Sequence, residues 1–154
     1  MDDRRSREPW KRVFTVCGLL LALAACATSE ASAPDGIFLP KLDRSNDEWP
    51  TALIAGQLVE ERGCVFLEVG GTGSANEKIL LIWPHETTAA RTEMGQLRIS
   101  IGGEVVGDTG SEVKLGGGLI GERPGEIDQA QAMIGEAIPV RCLAKGYFLT
   151  SGVA

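Results

Sequence analysis

QLRISIGGEVV, residues 96–106, decides the fold class. Its first six residues alternate between polar and apolar. Leu97, Ile99 and Ile101 therefore share one face of a strand and Arg98 and Ser100 the other, because successive side chains on a strand point to opposite sides. Gly102-Gly103 is a two-residue turn signal, and Glu104-Val105-Val106 resumes the strand pattern beyond it. A half-buried hairpin of this kind needs partners to cover its apolar face, so the neighbouring segments decide what it packs on.

The flanks read the same way. Leu53–Glu60 is a mixed apolar segment. Cys64–Val69 follows a short polar link with Gly63, placing Val65, Leu67 and Val69 on one face and Phe66 and Glu68 on the other. These two form a hairpin. Ile79–Trp83 is a continuous apolar run stopped by Pro84, the pattern of a strand buried on both faces. Val113 and Leu115 alternate with charged neighbours, and Gly116-Gly117-Gly118 reads as a corner or bulge. Tyr147–Thr150 makes a last strand. Only Ile127–Ile134 (IDQAQAMI) has helix-forming composition, enough for about two turns. About seven short strands, frequent glycine turns and one short helix predict a mainly β fold, a small antiparallel barrel or sandwich.

The beginning of the chain has a different character. Arg4, Arg5, Arg7, Lys11 and Arg12 outnumber Asp2, Asp3 and Glu8, and the run VFTVCGLLLALAA, residues 13–25, carries no charge. Its 13 residues fall short of the roughly 20 that a spanning helix needs. A basic head, a short apolar middle and small residues at its end form a secretory signal peptide. Leu23-Ala24-Ala25-Cys26 resembles the lipobox of bacterial lipoproteins. The resemblance implies cleavage before Cys26, with acyl chains on its thiol and amine. Two or more chains hold a protein stably to a membrane, where one is marginal. Ala27 stands where an aspartate would mark inner-membrane retention, so the expected location is the periplasmic face of the outer membrane. The expected organisation is a signal peptide at 1–25, a flexible tether at 26–50 and a small β domain at 51–154. The tether is inferred from the small polar residues ATSEASAPDG at 27–36.

Loss of the first 25 residues leaves 10 Lys+Arg against 18 Asp+Glu, a net charge of −8. Such a chain repels phosphates, which excludes nucleic acid and binding to anionic headgroups through bulk charge; a basic protein is the partner it would attract. Of the four cysteines, Cys17 leaves with the leader and Cys26 takes the lipid. Cys64 and Cys142 then remain in an oxidising compartment and are expected to pair, the alternative being two separate buried thiols. The closed loop of about 79 residues is worth about 4–5 kcal/mol in the chain-entropy account.

The motifs that could carry catalysis fall short. Gly116–Gly121 satisfies G-x-G-x-x-G, but Pro124 and Gly125 follow where a helix must begin to hold a pyrophosphate. His85-Glu86-Thr87-Thr88-Ala89 opens like a zinc-protease motif and lacks the second histidine; His85 is the only histidine of the chain. There is no G-x-S-x-G elbow. Asp43–Glu48 has Glu48 where a calcium loop turns at glycine. No catalytic, cofactor or metal residue is therefore assigned. Trp49 and Trp83 each precede a proline and read first as packing residues.

Gly63-Cys64, Leu81-Ile82-Trp83-Pro84, Val106-Gly107-Asp108, Val113–Gly118 and Ile138–Cys142 together resemble a loose pattern in small secreted and lipid-anchored bacterial β proteins without assigned activity. That resemblance implies the domain extent and the cysteine pair, and no chemistry. The expected role is a non-catalytic, membrane-anchored envelope lipoprotein acting as a binding or structural accessory module, with presenting loops at 70–77, 84–95, 107–112 and 116–126. The alternative is an inhibitor of a basic envelope enzyme, similar in size, charge and anchoring to acidic lysozyme inhibitors. A hydrolase built on His85 ranks third.

Overall fold

The structure is a computed structural model that describes residues 33–43, 51–70, 77–120 and 125–154. Cys26, the leader, Asn46, Trp49 and Gly121 lie outside the described residues.

Among the described residues, eight strands and one α-helix follow one another as β1 (Ala52–Glu61), β2 (Cys64–Val69), β3 (Glu77–Ile82), β4 (Thr87–Arg91), β5 (Leu97–Ile101), β6 (Glu104–Asp108), β7 (Glu112–Ile120), α1 (Glu126–Ile134) and β8 (Gly146–Val153). Strands β1-β2-β3-β8-β7 close into a barrel, and β4-β5-β6 form a separate three-stranded sheet. The mainly β fold predicted from the alternation is present, as a barrel rather than a sandwich. One pair departs from the antiparallel rule: β3 and β8 run parallel, Ile79 opposite Gly146 and Ile82 opposite Leu149. A parallel pair needs a crossover, here supplied by everything between the two strands.

Pleat parity sorts the barrel strands into two cores. Leu58, Val65, Leu67, Ile79, Leu81, Val113, Leu115 and Phe148 form one buried cluster, joined by Ala89, Leu97 and Ile99 of the appended sheet. Phe66, Leu80, Ile82, Tyr147 and Leu149 point the other way into a second cluster with Ala130 and Ile134 of α1. Strands β2, β3 and β8 are thus buried on both faces, which is why Ile79–Trp83 reads as an unbroken apolar run.

The outer layer has a second component. Residues 37–42, assigned from sequence to the tether, pack on the barrel: Phe38, Leu39 and Leu42 are buried. Phe38 bridges to Cys64 and Lys41 to Trp83. The physical reason is composition. The small polar stretch stops at Gly36, and IFLPKL brings enough apolar surface to offset the cost of ordering. Within this layer Cys64 and Cys142 are bonded, with Cα atoms 5.5 Å apart. The bond ties the β1–β2 hairpin to a 3₁₀ turn at Val140–Cys142.

Two glycines are required where they stand. Gly117, at φ 151° beside a register shift in the β7–β8 pairing, would place a Cβ 1.9 Å from the Leu149 carbonyl oxygen. The triple glycine is therefore a bulge inside β7, as its reading anticipated. Gly63 follows Arg62 in a two-residue turn with φ positive at both positions (54° and 76°), the mirror-image turn that matches strand twist. A side chain at Gly63 would meet the Gly36 carbonyl oxygen at 2.3 Å.

Three presenting loops expected from sequence are partly strand. Residues 87–91 form β4, 107–108 end β6, and 116–120 continue β7. Most of the loop expected at 70–77 lies outside the described residues.

Candidate functional site

Gln57 is a polar residue on the face of β1 that also carries Leu53, Ala55 and Val59. Gln57 stands opposite Glu68 on β2 and opposite Glu112 on β7. The three side chains therefore form a row across neighbouring strands, on the same pleat. One step along that face, Ala55 stands opposite Lys114. These residues line a groove of about 700 Å³ whose remaining wall includes Gly56, Gly70, Val106, Val113 and Val153. That volume lies in the range of small-ligand sites. Gly56 shapes the groove, since a Cβ there would meet the Glu68 carbonyl oxygen at 2.5 Å.

The donors and acceptors are unequally committed. The Gln57 amide donates to the Gly110 carbonyl oxygen at 2.7 Å, which fixes its orientation. Among the described residues, Glu68, Glu112 and Lys114 form no ion pair. Other cations are used within the domain. Arg91 makes a two-pronged contact with Glu60 at 2.6 and 2.7 Å, and Arg98 makes another with Asp108 at 2.8 Å on each prong. Lys78 bonds Glu61. The Arg98 hydrogen bonds hold the Asp108 carboxyl below its ordinary range, and Lys78 does the same for Glu61. The groove can thus receive a cation between its two carboxylates, a carbonyl or carboxylate on Lys114, and apolar contacts along three valines.

The sequence-derived candidates lie elsewhere. Cys64 and Cys142 belong to the outer layer and do not line the groove. His85 stands exposed in the turn before β4, with Nδ1 3.4 Å from the Leu42 carbonyl oxygen. Residues 116–120 form a β-strand, and the next helix starts only at Glu126. Burial pushes the Tyr147 phenol above its usual range, so it stays neutral. Among the described residues no three His, Cys, Asp or Glu side chains gather as a metal site would require. No helix among them is long and apolar enough to cross a membrane. Five-stranded barrels that bind oligonucleotides or oligosaccharides use an exposed face of their second and third strands. Here the outer face of β2 and β3 is covered by α1 and residues 37–42.

The groove residues were missed in the sequence for a simple reason: Gln57, Glu68, Glu112 and Lys114 each read as ordinary solvent-facing positions. Only the pairing register brings them into rows, and register across β1–β7 spans more than fifty residues of chain. No protein family, curated protein or solved structure matches this chain.

Proposed function

We propose that the protein is a non-catalytic, lipid-anchored envelope module that binds a basic segment of a partner in the groove that crosses β1 from Glu68 on β2 to Glu112 on β7. One observation carries this reading: Glu68 and Glu112 face a groove of about 700 Å³ without an ion pair among the described residues, Glu112 with no cation assigned to it and Glu68 only flanked by Lys78, which bonds Glu61. Solvent-accessible carboxylates beside apolar walls favour a ligand that presents a cation and some hydrocarbon. The lipobox at Cys26 and the net charge of −8 on the chain after it support a membrane location and a basic partner.

The test is titration of the full processed chain with a lysine-rich peptide, followed by residue-resolved chemical shifts. Binding should perturb Gln57, Glu68 and Glu112 and weaken with salt. The pair Glu68→Gln and Glu112→Gln should lower affinity several-fold; unchanged affinity refutes the groove as the site. The excess of carboxylates also favours a second reading, inhibition of a basic envelope enzyme such as lysozyme. That reading requires loss of lysozyme activity at micromolar protein, relieved by salt.

A further inference from the structure

The face opposite the start of β1 has a different chemistry from the rest of the surface. At the β1–β2 turn, Arg62 projects with its side chain 72% exposed. It holds φ at 54°, the one positive value at a non-glycine among the described residues, in a turn position that asparagine or glycine fills more easily. The Nε of Arg141 donates to the Arg62 carbonyl oxygen at 3.0 Å. On either side of the Arg141-Cys142 pair, Val140 is 84% exposed and Leu143 47%. The Cys64–Cys142 bond holds these two segments together. The result is a fixed cluster of two guanidinium groups and two uncovered apolar side chains. The nearby carboxylate of Glu61 is engaged by Lys78 and lies 3.7 Å from Arg62; Asp35 is the other acid on the adjoining segment.

The same place is where the chain arrives from its N-terminal side. Gly36 abuts Gly63, and the Phe38 amide donates to the Gly63 carbonyl oxygen at 2.7 Å. Gly36 is only the tenth residue after Cys26. Fully extended, that length reaches at most about 35 Å. A flexible chain of that length spans only about 17 Å on average, roughly half the length of β1, so an acyl group on Cys26 favours this face over the start of β1 beside the lipid.

From the cluster and its place on the chain we infer that Arg62, Val140, Arg141 and Leu143 form the surface that rests on an anionic lipid headgroup layer. The inference rests on the lipid-anchor reading above. Exposed carboxylates elsewhere, among them Glu86, Glu104 and Glu112, repel such a layer, whereas two arginines attract it and two apolar side chains enter its boundary. Each contact is weak alone. Tethering makes it intramolecular, so a high effective concentration replaces affinity. The domain then stands with one defined face down.

The experiment uses the full processed chain in vesicles of phosphatidylethanolamine and phosphatidylglycerol with bromine-labelled acyl chains. Mass spectrometry first reports whether Cys26 is acylated. Tryptophan is then placed at Leu143→Trp or, as a reference at the far end of β1, at Leu53→Trp. The variant at 143 should shift its emission to the blue and lose fluorescence to the bromine beyond the parent chain; the variant at 53 should not. Adding Arg62→Glu and Arg141→Glu should return position 143 to the reference level, as should vesicles of phosphatidylcholine alone. An acylated chain with equal quenching at both positions overturns the orientation and leaves the anchor standing. A chain with no acyl group overturns the anchor, and this inference with it.

Discussion

The barrel and the β4-β5-β6 sheet are built from similar strands, yet they are held very differently. Barrel strands β2, β3 and β8 are buried on both faces, closed into a ring and cross-linked through Cys64. The appended sheet buries one face only, through Ala89, Leu97 and Ile99, and leaves Val105 more than half exposed. Its polar fastenings are the Arg91–Glu60 pair, the Lys41 ammonium on the Thr87 carbonyl oxygen, and, through the β6–β7 link, the Gln57 amide on Gly110 and backbone hydrogen bonds that join Leu58 to Gly110 and Ser111. The contrast teaches that strand content says little about rigidity. What counts is how many sides of a strand are covered, and whether its ends are tied.

The largest test of that contrast is the disulfide. Cys142→Ser, or reduction of the parent chain, should cost about 4–5 kcal/mol for a loop of this length, read as a lower denaturant midpoint. An unchanged midpoint would mean that the outer layer does not clamp the ring. Next come matched cavities. Leu81→Ala, in the ring, should cost about 4 kcal/mol because neighbours on both faces prevent collapse, and Ile99→Ala, under an open sheet, about 2–3 kcal/mol. Equal losses in chemical denaturation would erase the distinction. Amide exchange probes it without mutation: β5 and β6 should exchange well before β2, β3 and β8. Simultaneous exchange would make the two regions one cooperative unit.

The smallest expected effect is on the acid side. The Asp108 carboxyl titrates below its ordinary value because Arg98 bonds it. Its contribution is present above the usual carboxylate range and is lost as pH falls through the lowered folded value. Arg98→Gln should therefore lower stability near neutrality slightly and flatten its fall on acidification. A parallel downward shift of the whole profile, with no change in slope, would contradict this.

Much of the fold could be read from side-chain alternation, because the barrel strands obey it or break it for a clear reason. Val65 and Leu67 turn inward while Phe66 turns outward. Strand β4 escaped because Thr-Thr-Ala-Ala-Arg offers no large apolar residue; the two that turn inward are Thr87 and Ala89. Residues 37–42 escaped because the polar stretch before them coloured the whole segment. The pairing of β3 with β8 escaped because parallel neighbours leave no local turn to announce them. The groove escaped for the same reason, since its rows exist only across strands far apart in sequence. The Cys64–Cys142 pair, by contrast, followed from a count of cysteines and an expected compartment, and needed no geometry.

Because β8 sits between β3 and β7, the ring has no completed seam until residues 146–153 are in place. A chain cut before Gly146 would leave β3 and β7 with open strand borders. Closure of this domain therefore waits on β8, and such a truncation would give a sticky fragment rather than a smaller version of the protein.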